Sequence, residues 1–543
     1  MSARFVCALT CLFCLLLLGC GDRETPVDRA NREQILLRAN GSEPAALDPH
    51  LVTGVTEHNI LTALLEGLVH PHPKTLKPQP GVAESWDISD DGRIYTFHLR
   101  DDAKWSNGDP VRASDFVFAY ERILSPKLAA EYAGLLYPMV NAEAFNTGEL
   151  TDFSQVGVKA LDDRTLQITL NDSTPYFLSL LTHYTWFPVH PPTILKHGDI
   201  DQRESRWTRP GNYVGNGPFT LEKWRVHDRI EVKKNPLYWD REHIQLNGVH
   251  FLPFANLNAE ERAFRSEQIH ISYAIPTHKI APYEEADDEA LRISPYLGTY
   301  YYAFNTEKPP LNDARVRRAL SLAIDRAGIT QNITQAGQIP ASHFTPPDTG
   351  GYTSQTQFSL DLESNIAEAK RLLAEAGYPN GEGMRELELL YNTSESHKAI
   401  AEAIQYFWQE TLGVKVRLVN QDWKVYLINR REGNFDVLRA GWIGDYNDPS
   451  TFLDLLSSWN GNNNAKFKNE AYDALIRQAA AEGDAEKRLA TFQQAEAILL
   501  EEMPVAPIYF YVSAYLVNPA VQGWYPNILD QHPWQGIYLD PDK

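Results

Sequence analysis

Glu388-Leu-Leu-Tyr391, Val414-Lys-Val-Arg-Leu-Val419 and Phe435-Asp-Val-Leu-Arg-Ala440 are three short apolar runs, and the spacing between them decides the fold. Between the first two, Lys398–Leu412 carries a helical pattern that stops at Gly413. Between the second and third, Trp423–Arg430 reads as a shorter helix. Strands alternating with helices predict an α/β fold built on a mainly parallel sheet. In open α/β sheets ligands lie in the crevice beyond the carboxyl ends of the strands. The first run ends into Asn392, with His397 shortly after, and the second into Gln421 and Trp423. The third carries Arg439 and continues through Trp442 and Asp445 to the turn Tyr446-Asn-Asp-Pro449.

Outward from this core the pattern persists. Downstream, helices are expected near Asn469–Ala480 and Glu486–Leu500, and a late strand at Ala506-Pro-Ile-Tyr-Phe-Tyr511. Upstream, Asp313 caps a helix with Val316, Leu320, Ala323 and Ile324 on one face, and Leu362–Ala376 ends at Gly377. Further towards the N-terminus the character changes. Asp91-Gly92 is a hairpin signal, after which Tyr95, Phe97 and Leu99 alternate with Ile94, Thr96 and His98. Ser114 is placed to cap a following helix. Ile35–Ala39 reads as the first strand and Glu57–Leu65 as a helix with Ile60, Leu61, Leu64 and Leu65 on one face. His70-Pro-His-Pro73 is a proline-stiffened loop rather than a metal site, since no further ligands accompany it. Gly215-Asn216-Gly217 precedes Pro218 and a strand-like Phe-Thr-Leu, not a helix, which argues against a phosphate loop.

At 543 residues the chain exceeds what one core supports, and 43% hydrophobic with 22% charged residues is ordinary globular composition. A net charge of −21 with no basic block excludes nucleic acid as a partner. All 4 cysteines, Cys7, Cys11, Cys14 and Cys20, fall in the first twenty residues. Arg4 followed by apolar Phe5–Leu18 reads as a secretory signal, too short for a membrane-spanning helix. Its end, Leu17-Leu-Gly-Cys20, resembles a bacterial lipobox, with Cys20 the acylated mature N-terminus. The mature chain then has no cysteine and no disulfide framework in an oxidising compartment. Gly21–Gln34 reads as a polar tether.

The strand ends carry charges of both signs together with rings. A buried ammonium needs a carboxylate partner, and a carboxylate is well met by the planar fork of Arg. A zwitterionic peptide offers both ends, with main chain between them that can augment a sheet. From the residues alone, other readings stay open. Asp445 can be a turn residue or helix cap, Arg430 beside Arg431 a solvated face, His397 a surface helix residue, and Tyr301 and Tyr511 core members of aromatic runs.

Several blocks carry a family resemblance. They are Gly81-Val-Ala-Glu-Ser-Trp86 through Trp105-Ser-Asn-Gly-Asp-Pro110 to Arg122, Val214-Gly-Asn-Gly-Pro-Phe219, and Asn235-Pro-Leu-Tyr-Trp239. Tyr300-Tyr-Tyr302 with Asn305, and Val316-Arg-Arg-Ala-Leu320 with Ile324-Asp-Arg326, continue the pattern. Together they resemble the extracytoplasmic oligopeptide-binding proteins of ABC peptide importers. The resemblance implies a mixed α/β, two-lobed periplasmic-binding-protein-like fold with an extra domain inserted in the first lobe, a hinge, and ligand in the interlobe cleft. It implies a lobe from 35–65, 190–297 and 513–543, an accessory domain at 66–189, and a principal peptide-binding lobe at 298–512. It assigns Asp445 to the peptide ammonium, and Arg439, Arg430 and His397 to the peptide carboxylate. Trp423 and Trp442 are then pocket walls, Asn392, Tyr301 and Tyr511 lining residues, and Gly54-Val55 a loop offering main-chain groups. Thr53 departs from the pattern, which favours an acidic residue there. The implied partners are short peptides, an ABC permease and the membrane through Cys20, for a monomer with no cofactor, metal or catalytic residue. No G-x-S-x-G, H-E-x-x-H or mature cysteine nucleophile points to an enzyme. Murein peptides, dipeptides, or a sensing or chaperone-like role are the alternatives.

Overall fold

The computed structural model describes residues 24–543. The expected signal segment and Cys20 lie outside the described residues. Three larger sheets organise the chain. The first runs in the order Ile35–Ala39, Gly248–Leu252, Arg229–Lys234, Phe219–Arg225. The second is antiparallel: Ala83–Ile88, Ile94–Leu99, Thr165–Thr169, Val158–Ala160. The Asp91-Gly92 turn joins its first two strands, and Gly92 takes the left-handed φ of 68° that such a turn demands. Tyr95, Phe97 and Leu99 point into the core and their neighbours do not, as the alternation requires.

The third sheet has six strands in the order Ile339–Pro340, Val505–Leu516, Leu291–Phe304, Val437–Ile443, Leu387–Asn392, Val416–Gln421. Its last three strands are parallel to one another through Leu387–Asn392. The helices between them start at side-chain caps, Ser394 for Glu395–Leu412 and Asp422 for Trp423–Glu432, and stop at left-handed Gly413 and Gly433. The sheet is not mainly parallel, however. Leu291–Phe304 and Val505–Leu516 enter it antiparallel, from segments far outside the strand–helix repeat. Both faces are covered: Tyr300, Tyr302, Leu389 and Val437 belong to one core, and Tyr301, Ala303, Leu390 and Leu438 to the other.

Those two antiparallel strands also tie the sheets together. Their pairing shifts register between Pro295 and Thr299. Beyond that irregularity, Leu516 N donates to Ser272 Oγ at 2.8 Å. Ile271 next to it bridges to both Arg38 and Val517. Paired strands with an irregularity in mid-course are suited to absorb the small dihedral changes of a hinge.

Two local expectations are corrected. Residues 26–33 are a helix rather than a tether: Thr25 and Asp28 form a capping box around Pro26, and Val27 and Ala30 are buried. Ser114 is not the cap of Ala113–Leu124; Arg112 N donates to Asp115 at 3.0 Å, and the same carboxylate accepts from Trp105 Nε1 at 2.9 Å. His70 and Pro71 belong to a two-stranded ribbon, Val69–Pro71 pairing with Pro78–Pro80, and His72-Pro73 leads into the turn between the two strands. Gly215 and Gly217 allow close packing: a Cβ would lie 2.1 Å from Leu64 O at the first and 2.6 Å from Leu64 C at the second. Asn216 between them accepts from Glu66 N and donates to Glu66 O, a structural clasp.

Candidate functional site

Asp445 follows the strand Val437–Ile443 and is 7% exposed. Its Oδ1 accepts from Tyr132 Oη at 3.2 Å and lies 3.4 Å from His183 Nε2. Its backbone N–H donates to Thr451 Oγ1 at 3.0 Å, which fixes the loop. Oδ2 has no partner. Burial pushes the Asp445 carboxyl up to about 7. His183 supplies no countercharge, because burial and the nearby His58 hold it well below 6.5, in the neutral form. The result is a buried carboxylate with an open oxygen and no cation, in a small pocket walled by Tyr132, Trp442 and Tyr446.

The opposite charge sits earlier on the same strand. Arg439 is 9% exposed, donates from Nη1 to Asn392 Oδ1 at 3.2 Å and from Nη2 to Tyr511 Oη at 2.9 Å, and lies 4.5 Å over the Tyr300 ring. Its Nε is unpartnered, and all these neighbours are neutral. His397, in the first turn of its helix, is 3.3 Å from Tyr300 Oη. Burial, then the Arg439 charge, holds it well below 6.5. Arg439 is therefore a buried cation without an anion, flanked by a neutral imidazole that can donate or accept.

Between the poles the strand offers main chain. On one edge Val437–Ile443 pairs with Leu291–Phe304 throughout, from Phe304↔Val437 to Gly298↔Ile443. On the other edge only Val437 and Leu438 have partners, Leu389 and Leu390. From Arg439 to Ile443 that second edge carries no strand partner. Asp445 lies six positions after Arg439, at most roughly 20 Å along an extended chain, the scale of a short peptide.

The remaining residues frame this edge. Trp423 stacks on Tyr426 at 5.5 Å, and its Nε1 is 3.4 Å from Glu57 Oε1. Trp442 approaches the Tyr132 ring at 6.0 Å. Gly54 caps the helix Val55–Leu64, and a Cβ there would lie 2.1 Å from Glu57 Oε2 and 3.2 Å from Trp423. Arg430 lies differently from Arg439: its Nη2 donates to Thr53 Oγ1 at 2.8 Å and to Glu131 Oε2 at 3.1 Å. Tyr301 is 3% exposed and packs edge-on against Phe344, on the sheet face away from Arg439. The ring beneath Arg439 is its neighbour Tyr300, because side chains alternate along a strand. Tyr132, His183, Glu131, Thr451, Glu57 and Tyr300 were not singled out from sequence. Tyr132 and His183 reach Asp445, Glu131 reaches Arg430 and Glu57 reaches Trp423, all from segments far away in the chain, and no local pattern marks them.

The chain matches the model of the bacterial extracellular solute-binding proteins, family 5, over residues 77–464. It belongs to this family. Among curated relatives, the periplasmic oligopeptide-binding protein OppA of Escherichia coli is 41% identical, over 91% of this chain and 90% of that protein. Among solved structures, Haemophilus influenzae OppA in complex with the peptide RPPGFSPFR superposes with a TM-score of 0.89 at 36% identity, covering 94% of this chain and 99% of that one. The murein tripeptide-binding protein MppA of E. coli superposes at 0.88 with 40% identity, covering 93% and 98%. Its unliganded open form, also 40% identical and covering 93% and 97%, superposes at only 0.63. In this family member the contacts Tyr132–Asp445 and Trp423–Glu57 join segments more than three hundred residues apart in the chain.

Proposed function

We propose that this protein is an extracytoplasmic receptor that captures short oligopeptides and delivers them to an ABC-type importer. The observation that carries the reading is the pair of uncompensated buried charges, Asp445 and Arg439, at the two ends of an unpaired strand edge. A free peptide supplies the missing ammonium, the missing carboxylate and the missing main-chain partners together. Trp423, Trp442, Tyr511, Asn392 and His397 wall the space between, and Gly54 keeps the approach to it clear. Recognition of groups that all peptides share makes selectivity for side chains broad. The relatives' names, periplasmic oligopeptide-binding and murein tripeptide-binding, support a peptide ligand and a periplasmic location. The protein binds and releases peptide without cleaving it. Lobe I comprises 35–65, 190–297 and 513–543, the accessory domain 66–189, and the peptide-binding lobe 298–512. Cys20, once acylated, anchors the monomer to the membrane.

The test is to purify the protein, unfold it and identify what is released by mass spectrometry, then titrate peptide-free protein with Ala₂ to Ala₆ by calorimetry. Stoichiometric intact peptides and one-site binding are expected. Cleaved peptide, or no peptide bound at any length, would overturn the proposal.

A further inference from the structure

The two arginines of the cleft are in different electrostatic states. Arg439 has only neutral partners, whereas Arg430 already holds a carboxylate. That carboxylate, Glu131, adjoins Tyr132, the residue that reaches Asp445, so both contacts cross the cleft from one stretch of backbone. The second Glu131 oxygen lies 4.0 Å from Arg431. The Glu131 backbone is held as well: Asn462 Nδ2 donates to its carbonyl at 3.4 Å, and Gly461 packs so closely that a Cβ would lie 2.5 Å from the same oxygen. The Glu131 and Arg430 side chains are each only 13% exposed. Thr53, on the other side of Arg430, contributes a hydroxyl and no charge.

We propose that Glu131 is a specificity-determining residue of the peptide site: fixed across the cleft on Arg430, it rejects peptides whose carboxylate would come to Arg430 and leaves Arg439 as the carboxylate anchor. This rests on the peptide-receptor reading. A peptide carboxylate arriving at Arg430 has to displace Glu131 or lie beside it in a poorly solvated cleft, and like charges so placed repel strongly. At Arg439 the same group meets a cation whose partners, Asn392 and Tyr511, carry no charge, and no competing carboxylate. Glu131 thereby converts a site with two cations into one with a single usable cation, and narrows the accepted peptide lengths.

The experiment compares calorimetric affinities for Ala₂ to Ala₆ as free acids and as C-terminal amides. The ratio of acid to amide isolates carboxylate recognition from lobe closure. Glu131→Gln keeps the shape and removes the charge. It is expected to raise the acid-to-amide ratio about ten-fold or more at one further peptide length, the scale of a close charge pair across an interface. Arg430→Gln is expected to weaken acids and amides alike, and Arg439→Gln to collapse the ratio at the lengths wild type prefers. A length profile of that ratio unchanged in Glu131→Gln would overturn the proposal. So would Arg430→Gln collapsing the wild-type ratio as Arg439→Gln does. If wild type binds no peptide of any length, the receptor reading falls instead, and that outcome is distinct from both.

Discussion

Replacing Asp445 by Asn tests the ammonium pole with little change of shape. The amide oxygen still accepts from Tyr132 Oη, and the Thr451 contact uses the backbone N–H, so the loop keeps its anchors. What disappears is the charge on a carboxylate that is 7% exposed and has one oxygen unpartnered. Truncating one member of a desolvated, hydrogen-bonded charge pair costs roughly 2–5 kcal/mol of binding. At about 1.4 kcal/mol per factor of ten, that is a thirty-fold to several-thousand-fold weaker Kd. Calorimetry with a free peptide and its N-acetylated form completes the cycle: acetylation should weaken binding to wild type by a similar factor and leave binding to Asp445→Asn almost untouched. The peptide-free protein should respond in the opposite sense. Burial raises the Asp445 carboxyl from 3.8 to about 7, a difference worth roughly 4 kcal/mol. Because the folded protein holds the proton more tightly than the unfolded chain, this group costs stability as pH rises from about 4 to about 7 and no more above that. The Asn variant escapes that cost, so without peptide at pH 7.5 its urea midpoint should equal or exceed that of wild type. Unchanged peptide affinity, or an acetylation penalty that survives the substitution, would refute the role given to Asp445.

Arg439→Gln should abolish the preference for free acids over amides, a loss of about ten-fold or more by the same charge-pair scale, read by calorimetry. Gly54→Ala places a methyl carbon 2.1 Å from Glu57 Oε2 and 3.2 Å from the Trp423 ring. Movement of Glu57 and Trp423 should then weaken all peptides by roughly 1–3 kcal/mol, the usual cost of overpacking, with intrinsic Trp fluorescence shifted. Asp48→Ala leaves Arg122, whose side chain is fully buried, without the carboxylate that now holds it through contacts of 2.9 and 2.6 Å. Stability should fall by about 3–5 kcal/mol in urea titration, with peptide selectivity unchanged in whatever remains folded.

The legible parts of this fold are those whose signal is local. Strand–helix alternation over 388–440 placed three strands and two helices, because caps such as Asp422 and stops such as Gly413 lie within a few residues of what they control. It did not reveal that Val437–Ile443 has an antiparallel neighbour, since Leu291–Phe304 lies far upstream in the chain. Tyr300 and Tyr301 differ only in which sheet face they take, and a run of three tyrosines carries no register of its own. At Pro26–Glu33 two local signals conflict: Thr25-Pro26 followed by Asp28 is a helix start, whereas the polar composition points to a tether, and the cap prevails. At the site, Asp445 and Arg439 follow from the strand-end rule. Tyr132 and His183, which lie against the Asp445 carboxylate, are invisible to it, being 313 and 262 residues away.

On the receptor reading proposed above, the same two charges couple closure of the lobes to the ligand. Closing an empty cleft buries Asp445 with no cation, because His183 is neutral, and buries Arg439 among groups that carry no charge. Neither charge relieves the other, since Arg439 lies early in the strand Val437–Ile443 and Asp445 beyond its end. An isolated ion in a protein interior costs several kcal/mol even after relaxation. The empty closed state is therefore penalised at both poles, while the cross-cleft pair Arg430–Glu131 favours it at a third point. A peptide with both termini free removes the two penalties at once, whereas a peptide blocked at one end leaves one standing. Doubly blocked peptides should thus fail to close the lobes even where their side chains fit, and small-angle scattering reads that directly. A compact profile with a peptide acetylated and amidated, matching that with the free peptide, would show that closure is driven by main-chain and side-chain contacts and not by the charged ends.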